Sequence, residues 1–231
     1  MNKTAIGYLT KDRVELSRRT IEPLLQPDKF DLHWFDGSNT MDGIAFPNRY
    51  PDEIQCISNV RGGPDAAVAY VLTTLLKLGY SYIGFCENDV LLDPSWFERT
   101  MALFERGRQD GLEVGAVSPR AYEDRILSQR NGYALMHNLG WGTQIMTRKA
   151  AQIALANFRT HHAFENRRIF AQLCGKDIGG FWAFRSADHM LCADWGNDAA
   201  LAAHGLASLA LTPSPVEMIG QDPPLAQQGL R

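Results

Sequence analysis

Tyr82-Ile83-Gly84-Phe85-Cys86-Glu87-Asn88-Asp89-Val90 decides how the chain is read. Its first half is apolar and β-prone, which predicts a buried strand, and it ends in two carboxylates separated by one amide side chain. Like charges this close raise each other's pKa, and burial raises them further, unless a cation or several donors compensate. Asp93-Pro94-Ser95 then opens a helix, so the acids fall at the carboxyl end of a strand, where open α/β sheets hold ligands. Hard oxygen ligands on a loop suit Mg²⁺ or Mn²⁺ that also holds substrate phosphates. The competing reading is a solvated strand-to-helix turn whose acids cap the helix.

Upstream, strand and helix patterns alternate. Thr4 to Thr10 reads as a first strand, with Asp12 as N-cap of a helix carrying Val14, Leu16, Ile21, Leu24 and Leu25. Phe30 to Phe35 is a second strand, closing in the small polar turn Asp36-Gly37-Ser38-Asn39-Thr40, and the segment to Pro51 reads as a long loop. Ile54 to Ser58 is a third strand; Asn59-Val60-Arg61-Gly62-Gly63-Pro64 leads into a helix over 65–78 that Gly79 ends. This alternation predicts a doubly wound, mostly parallel sheet flanked by helices.

Downstream the pattern is more mixed. A helix over 93–106 presents Trp96, Phe97, Met101 and Phe104, and Val114 to Ser118 is a strand. The connection holding Arg120, Tyr122, Arg125 and Arg130 reads as a surface loop or hairpin, and Leu139 to Met146 as a strand whose glycines allow close approach. Helices over 149–157 and 195–204, the latter closed by Gly205, enclose a polar stretch over 161–176 and a short aromatic strand, Phe181 to Phe184. No internal repeat is present, and one α/β domain over 1–231 is the economical description.

Composition narrows the function. With 45% apolar and 21% charged residues the chain has the balance of an ordinary globular protein. A net charge of -3, with Lys and Arg scattered, leaves no footprint for nucleic acid. Cys56, Cys86, Cys174 and Cys192 form no CxxC pair and sit mostly in apolar runs, as small buried hydrophobes of a reducing compartment; a zinc site is not expected. No signal-peptide pattern follows Met1 and no window approaches an integral membrane segment, so the expected location is cytoplasmic.

Four loops thus end adjacent strands: Thr10-Lys11-Asp12-Arg13, Asp36-Gly37-Ser38, Asn59-Val60-Arg61-Gly62-Gly63 and Glu87-Asn88-Asp89. The ordered set resembles the nucleotide-sugar-binding half of GT-A fold glycosyltransferases, especially family 2. That family runs strand-Thr-x-x-Arg-helix, an Asp-x-x-Ser turn, Asn-x-Gly before a helix, then a D-x-D triplet and a Pro-x-Trp helix start. The resemblance spans about residues 4 to 220; it implies a single GT-A-like domain, with a nucleotide-binding half over about 1–90 and an acceptor half over about 91–231.

Carried over residue by residue, the resemblance implies that Thr10 and Asp36 contact nucleobase and ribose, and that Arg61 lies near base or diphosphate. Arg13, Asn59, Gly63 and Asn88 complete the nucleotide-sugar set, and Glu87 and Asp89 hold a divalent metal, Mn²⁺ or Mg²⁺. An ionised acid at Asp36 suits a pair of ribose hydroxyls because it only accepts. The bland alternatives are an Asx-turn at Asp36, bonding its own backbone, and a helix-entry loop with an exposed Arg at Asn59 and Arg61. The triplet departs from the family in beginning with Glu and centring on Asn88, and Asp89 is the favoured direct ligand.

Asp194-Trp195-Gly196-Asn197-Asp198-Ala199-Ala200-Leu201 is similar to the family's Glu-Asp-x-x-Leu helix. Asp198 takes the place of the catalytic base, with Asp194 the runner-up, or a simple N-cap, and Asp188 third. The tail Pro213 to Gln221 resembles a closing segment in which relatives place a metal-binding His; here Met218 stands there, a poor ligand for a hard cation. The four residues His161, His162, His189 and His204 share no ligand spacing. The expected activity is metal-assisted, inverting transfer from a nucleoside-diphosphate sugar, a UDP-sugar foremost, to an acceptor hydroxyl of a saccharide, lipid or protein. The alternatives are a non-catalytic nucleotide-sugar-binding module and a sugar-phosphate nucleotidyltransferase. The latter should carry a Gly-rich loop where Leu9-Thr10-Lys11-Asp12-Arg13 has no glycine.

Overall fold

Four parallel strands carry the first half: β1 (Thr4–Thr10), β2 (Asp31–Asp36), β3 (Ile54–Asn59) and β4 (Tyr82–Glu87), side by side in the order β3-β2-β1-β4. The computed structural model describes residues 3–60, 64–140, 142–160 and 193–219, with the backbone alone at 64–65, 158–160 and 193–196. β1, β2 and β4 are buried nearly throughout, which is why they read as continuous apolar runs. Successive side chains feed opposite layers. Ala5, Leu9, Phe35, Ile83 and Phe85 join one core cluster, and Ile6, Tyr8, Leu32, Trp34 and Cys86 join the other.

The first cluster is roofed by α3 (Pro64–Lys77), α5 (Arg148–Thr160) and α6 (Ala193–Ala203), through residues such as Val71, Leu75, Ala154 and Leu201. The second is closed by α1 (Val14–Thr20) with the turn after it and by α4 (Trp96–Gln109), through Ile21, Leu24, Trp96 and Phe104. Helices on both faces of one sheet are the doubly wound arrangement expected.

The sheet continues past β4 through β9 (Thr143–Thr147), β6 (Val114–Ser118), β10 (Ala207–Leu211), β8 (Tyr133–Met136) and β7 (Ile126–Arg130). Only β9 and β8 run against the other seven of these nine strands. A separate two-stranded ribbon pairs β5 (Val90–Leu92) with β11 (Val216–Met218).

Several local expectations are corrected. Asp12 does not cap α1: it takes φ 52° and turns back to the loop after β2, and Arg13 at the N-cap position makes no side-chain capping bond. The stretch before Pro51 holds a short helix, α2 (Met41–Ala45), capped by the Thr40 hydroxyl, which accepts from Gly43 N. α4 starts at Trp96, not at 93, because the Asp93 carboxylate accepts from Ser95 N and Oγ in an Asx turn. β9 starts at Thr143, since Gly140 and Gly142 sit at φ 68° and 127° and break the extended run. The expected aromatic strand Phe181 to Phe184 and the stretch 161–176 lie outside the described residues.

Gly84 shows how tightly β4 is set. A Cβ there would lie 2.5 Å from Ile6 Cδ1 and 2.8 Å from the Gln144 carbonyl of the neighbouring strand. The backbone neighbour cannot rotate away, so Gly84→Ala is expected to cost about 2 kcal/mol. Urea denaturation checks this through a lower midpoint at unchanged slope.

Candidate functional site

The sheet register brings the loops together. Thr10 pairs with Asp36, Asp36 with Asn59, and Leu9 with Glu87, so four strands end level at one edge. Over that edge lies a cleft of about 340 Å³ lined by Thr10, Arg13, Gly37, Val60, Glu87 and Asp89 among others. This is the size of a small-ligand site. Thr10, Arg13, Asn88, Glu87 and Asp89 all line it; Asn59 is exposed at the end of the edge strand β3, and Arg61 and Gly63 lie outside the described residues.

Asp36 is 3% exposed, and its Oδ1 accepts from Thr10 Oγ1 at 3.0 Å, Ser38 N at 3.1 Å and Ser38 Oγ at 2.6 Å. Thr10 Oγ1 in turn accepts from Trp34 Nε1 at 2.8 Å. The Asx-turn geometry and the link to Thr10 are thus both present, and all three bonds fall on one oxygen of the carboxylate.

Asp12 fastens the first loop to the second. Its Oδ1 accepts from Asn39 N at 2.7 Å and Thr40 N at 2.9 Å, while its own N–H donates to Ser38 Oγ at 2.9 Å. The Thr40 and Asn39 amides hold the carboxyl below its ordinary value. The folded pKa is therefore below the unfolded one, and the tether stabilises the protein above pH 3.8 and is lost as pH falls through the folded value. The stability gap between wild type and Asp12→Ala should accordingly narrow below pH 3.8 in acid titrations followed by fluorescence. A gap that stayed constant down to about pH 2 would contradict it.

The acid pair is asymmetric. Glu87 N donates to Gly142 O at 2.7 Å. The Asp89 side chain is 20% exposed; its Oδ2 lies 3.6 Å from Arg13 Nη1, whereas its Oδ1 is buried with no hydrogen-bond partner. Asn88 between them points the other way, its amide donating to Ser17 Oγ at 3.1 Å and Arg13 O at 3.4 Å and so pinning the turn to α1. Cys86 is fully buried, and burial pushes its thiol up to about 12, so it is neither thiolate nucleophile nor soft ligand.

The closing segment comes back to this turn. Met218 pairs with Val90, and Ile219 N donates to Asp89 O at 2.9 Å. Met218 thus neighbours the acids, and among the described residues no three His, Cys, Asp or Glu side chains gather into a metal site. A buried carboxylate oxygen without a donor, one residue from a second carboxylate, nevertheless fits a hard cation completed by substrate oxygens and water.

Asp198 stands elsewhere. It is 4% exposed on α6; its Oδ2 accepts from Asn138 Nδ2 at 3.1 Å and Leu139 N at 3.0 Å, and its Oδ1 from Ser208 Oγ at 2.6 Å. These bonds anchor the loop that precedes β9. Asp194 lies one turn earlier on the same helix, its side chain outside the described residues, as is Asp188.

Sequence reasoning missed the roles of Ser38 and Asp12 as ties between loops. The signal was the run Asp36-Gly37-Ser38-Asn39-Thr40, whose backbone amides need an acceptor from somewhere. It also missed the indole of Trp34 behind Thr10.

No protein-family profile and no curated protein matches the chain. Solved structures do. S. aureus TarS 1-349 in complex with UDP aligns with a TM-score of 0.56 at 11% identity, over 93% of this chain and 59% of that one. The chain shares the fold of TarS. The structure of TarS 1-349 alone gives 0.54 at 12%, over 93% and 59%, and a longer S. aureus TarS gives 0.54 at 12%, over 90% and 35%. The expected GT-A-like fold is thus present, and the chain spans less than two thirds of the length of these TarS chains.

Proposed function

We propose that the chain is a metal-assisted glycosyltransferase that takes a nucleoside-diphosphate sugar, with UDP as its nucleotide, and passes the sugar to an acceptor hydroxyl with inversion. The observation that carries this reading is the buried, unpartnered Oδ1 of Asp89, in a cleft that Thr10 and Glu87 also line beside the Thr10–Asp36 pair. The UDP complex of a protein with the same fold supports the choice of nucleotide.

Each residue has a separable task. Asp36 keeps one oxygen on the Thr10 and Ser38 donors and offers the other to ribose hydroxyls, which an ionised acid can accept. Arg13, 47% exposed and paired with Asp89, meets the diphosphate as a forked donor. Asp89 and Glu87 would hold the divalent cation, which when bound supplies charge to offset that developing on the departing diphosphate. A base must take the proton of the attacking hydroxyl, and such a group contributes about 10²- to 10⁴-fold. Because Asp198 is committed to three donors inside the core, the base role in this reading passes to Asp194.

A thermal-shift series with UDP, with and without Mn²⁺, tests the donor reading. A ligand at about 100 times its Kd adds about 2.7 kcal/mol, which raises Tm by about 5 to 11 °C at about 2 to 4 °C per kcal/mol. No shift with UDP and Mn²⁺ would sink it. Met218 beside the acid turn favours one second reading, a module that binds nucleotide sugar without turnover. Slow, Mn²⁺-dependent hydrolysis of UDP-sugar decides against that module; binding with no hydrolysis or transfer decides for it.

A further inference from the structure

Beyond the cleft, the connection after β6 carries two cations on one aromatic ring. Arg120 Cζ lies 4.2 Å and Arg125 Cζ 4.3 Å from the centroid of Tyr122. The turn that presents them is fixed: Arg120 N donates to Ser118 Oγ at 3.0 Å and Ala121 N to Ser214 Oγ at 2.9 Å. Arg125 donates to Asn138 Oδ1, whose amide also donates to Asp198, so the second guanidinium is held from α6. Two guanidiniums over one ring repel each other, and among the described residues no carboxylate lies within ion-pair reach of Arg120. Its Nη1 is buried with no hydrogen-bond partner. A buried charged donor without an acceptor is a standing penalty that a bound oxyanion would remove.

The position matters as much as the charge. β6 stands two strands from β4 in the sheet and points the same way, so the arginines rise from the same edge as Glu87, about 10 Å to the side. One short loop joins the two places. A Cβ on Gly140 would lie 2.5 Å from Arg125 Nη1, and Gly142 O accepts from Glu87 N at 2.7 Å. We infer that Arg120, Tyr122 and Arg125 form an oxyanion subsite on the acceptor side of the cleft, so that the acceptor carries a phosphate or carboxylate beside the hydroxyl that is glycosylated. The forked guanidiniums suit both anions, and contact with the ring steadies them. This rests on the glycosyltransferase reading for the word acceptor; the anion site itself does not.

The test uses the full chain and inorganic phosphate, titrated by NMR with and without saturating UDP. Phosphate should bind with UDP in place, weaken about tenfold or more in Arg120→Gln and recover in part in Arg120→Lys, while UDP affinity stays unchanged. Acetate run in parallel separates a carboxylate site from a phosphate site. Equal phosphate binding in wild type and Arg120→Gln would overturn the subsite, as would phosphate that only competes with UDP. Failure of UDP to bind would sink the donor reading alone, because the titration without UDP still decides on the arginines.

Discussion

Asp89→Ala should cost about 10³-fold in turnover and remove the Mn²⁺ dependence of UDP binding, while leaving the protein as stable as wild type or more so. The two halves of this expectation have one cause. Without cation the buried Oδ1 has no partner and its desolvation is uncompensated, so deleting it relieves the fold. The ion pair with Arg13, which the substitution also removes, is 3.6 Å long and half in solvent, worth under about 1 kcal/mol. With cation the same oxygen is the one the metal needs, and several kcal/mol of charge stabilisation disappear. Calorimetry of UDP binding with and without Mn²⁺, beside the Tm of the metal-free proteins, separates the two. UDP binding that stayed equally Mn²⁺-dependent would refute the assignment.

Asp198→Asn should behave in the opposite way, losing stability first. The carboxylate accepts from three donors that reach it from the loop before β9 and from β10. An amide keeps the Asn138 and Leu139 bonds on its oxygen and turns the Ser208 hydroxyl from donor to acceptor, so what is lost is the charge behind those bonds, a cost of about 1 to 2 kcal/mol and a fall in Tm of about 2 to 8 °C. Activity then declines with the order of the loop and returns in part on cooling. Asp194→Asn, by contrast, should unfold like wild type and lose about 10²-fold or more of turnover with UDP binding intact. A stable Asp198→Asn enzyme with no turnover would restore Asp198 as the base.

The first half of the chain was legible because β1, β2 and β4 are buried on both faces and each turn is made of residues with few other uses. Tyr82 to Glu87 could hardly be anything but a central strand, and Asp36-Gly37-Ser38 anything but a turn. The second half was legible only in part: Val114 to Ser118 is the strand expected, whereas other strands there are strands only through distant partners. Ala207 to Leu211 is short and apolar and follows a helix; it becomes a strand by lying between β6 and β8. The direction of a side chain was the least legible quantity. Asn88 and Asp198 are polar residues in motif-like positions, yet packing turns one toward α1 and buries the other under β10. The pairing of Asp12 with Asn39 and Thr40 spans a gap of 27 residues or more that no local pattern encodes.

The ribbon of β5 and β11 has a use of its own. Each strand is three residues long and, among the described residues, has only the other as partner, so this pairing should open at far lower free energy than the nine-stranded sheet. Its outermost bond, from the Ile219 amide to the Asp89 carbonyl, leans on the backbone of the acid turn itself. Anything that steadies that turn must slow deuterium uptake at Ile219. One amide signal would therefore read the occupancy of the cleft, whether or not a sugar is ever transferred.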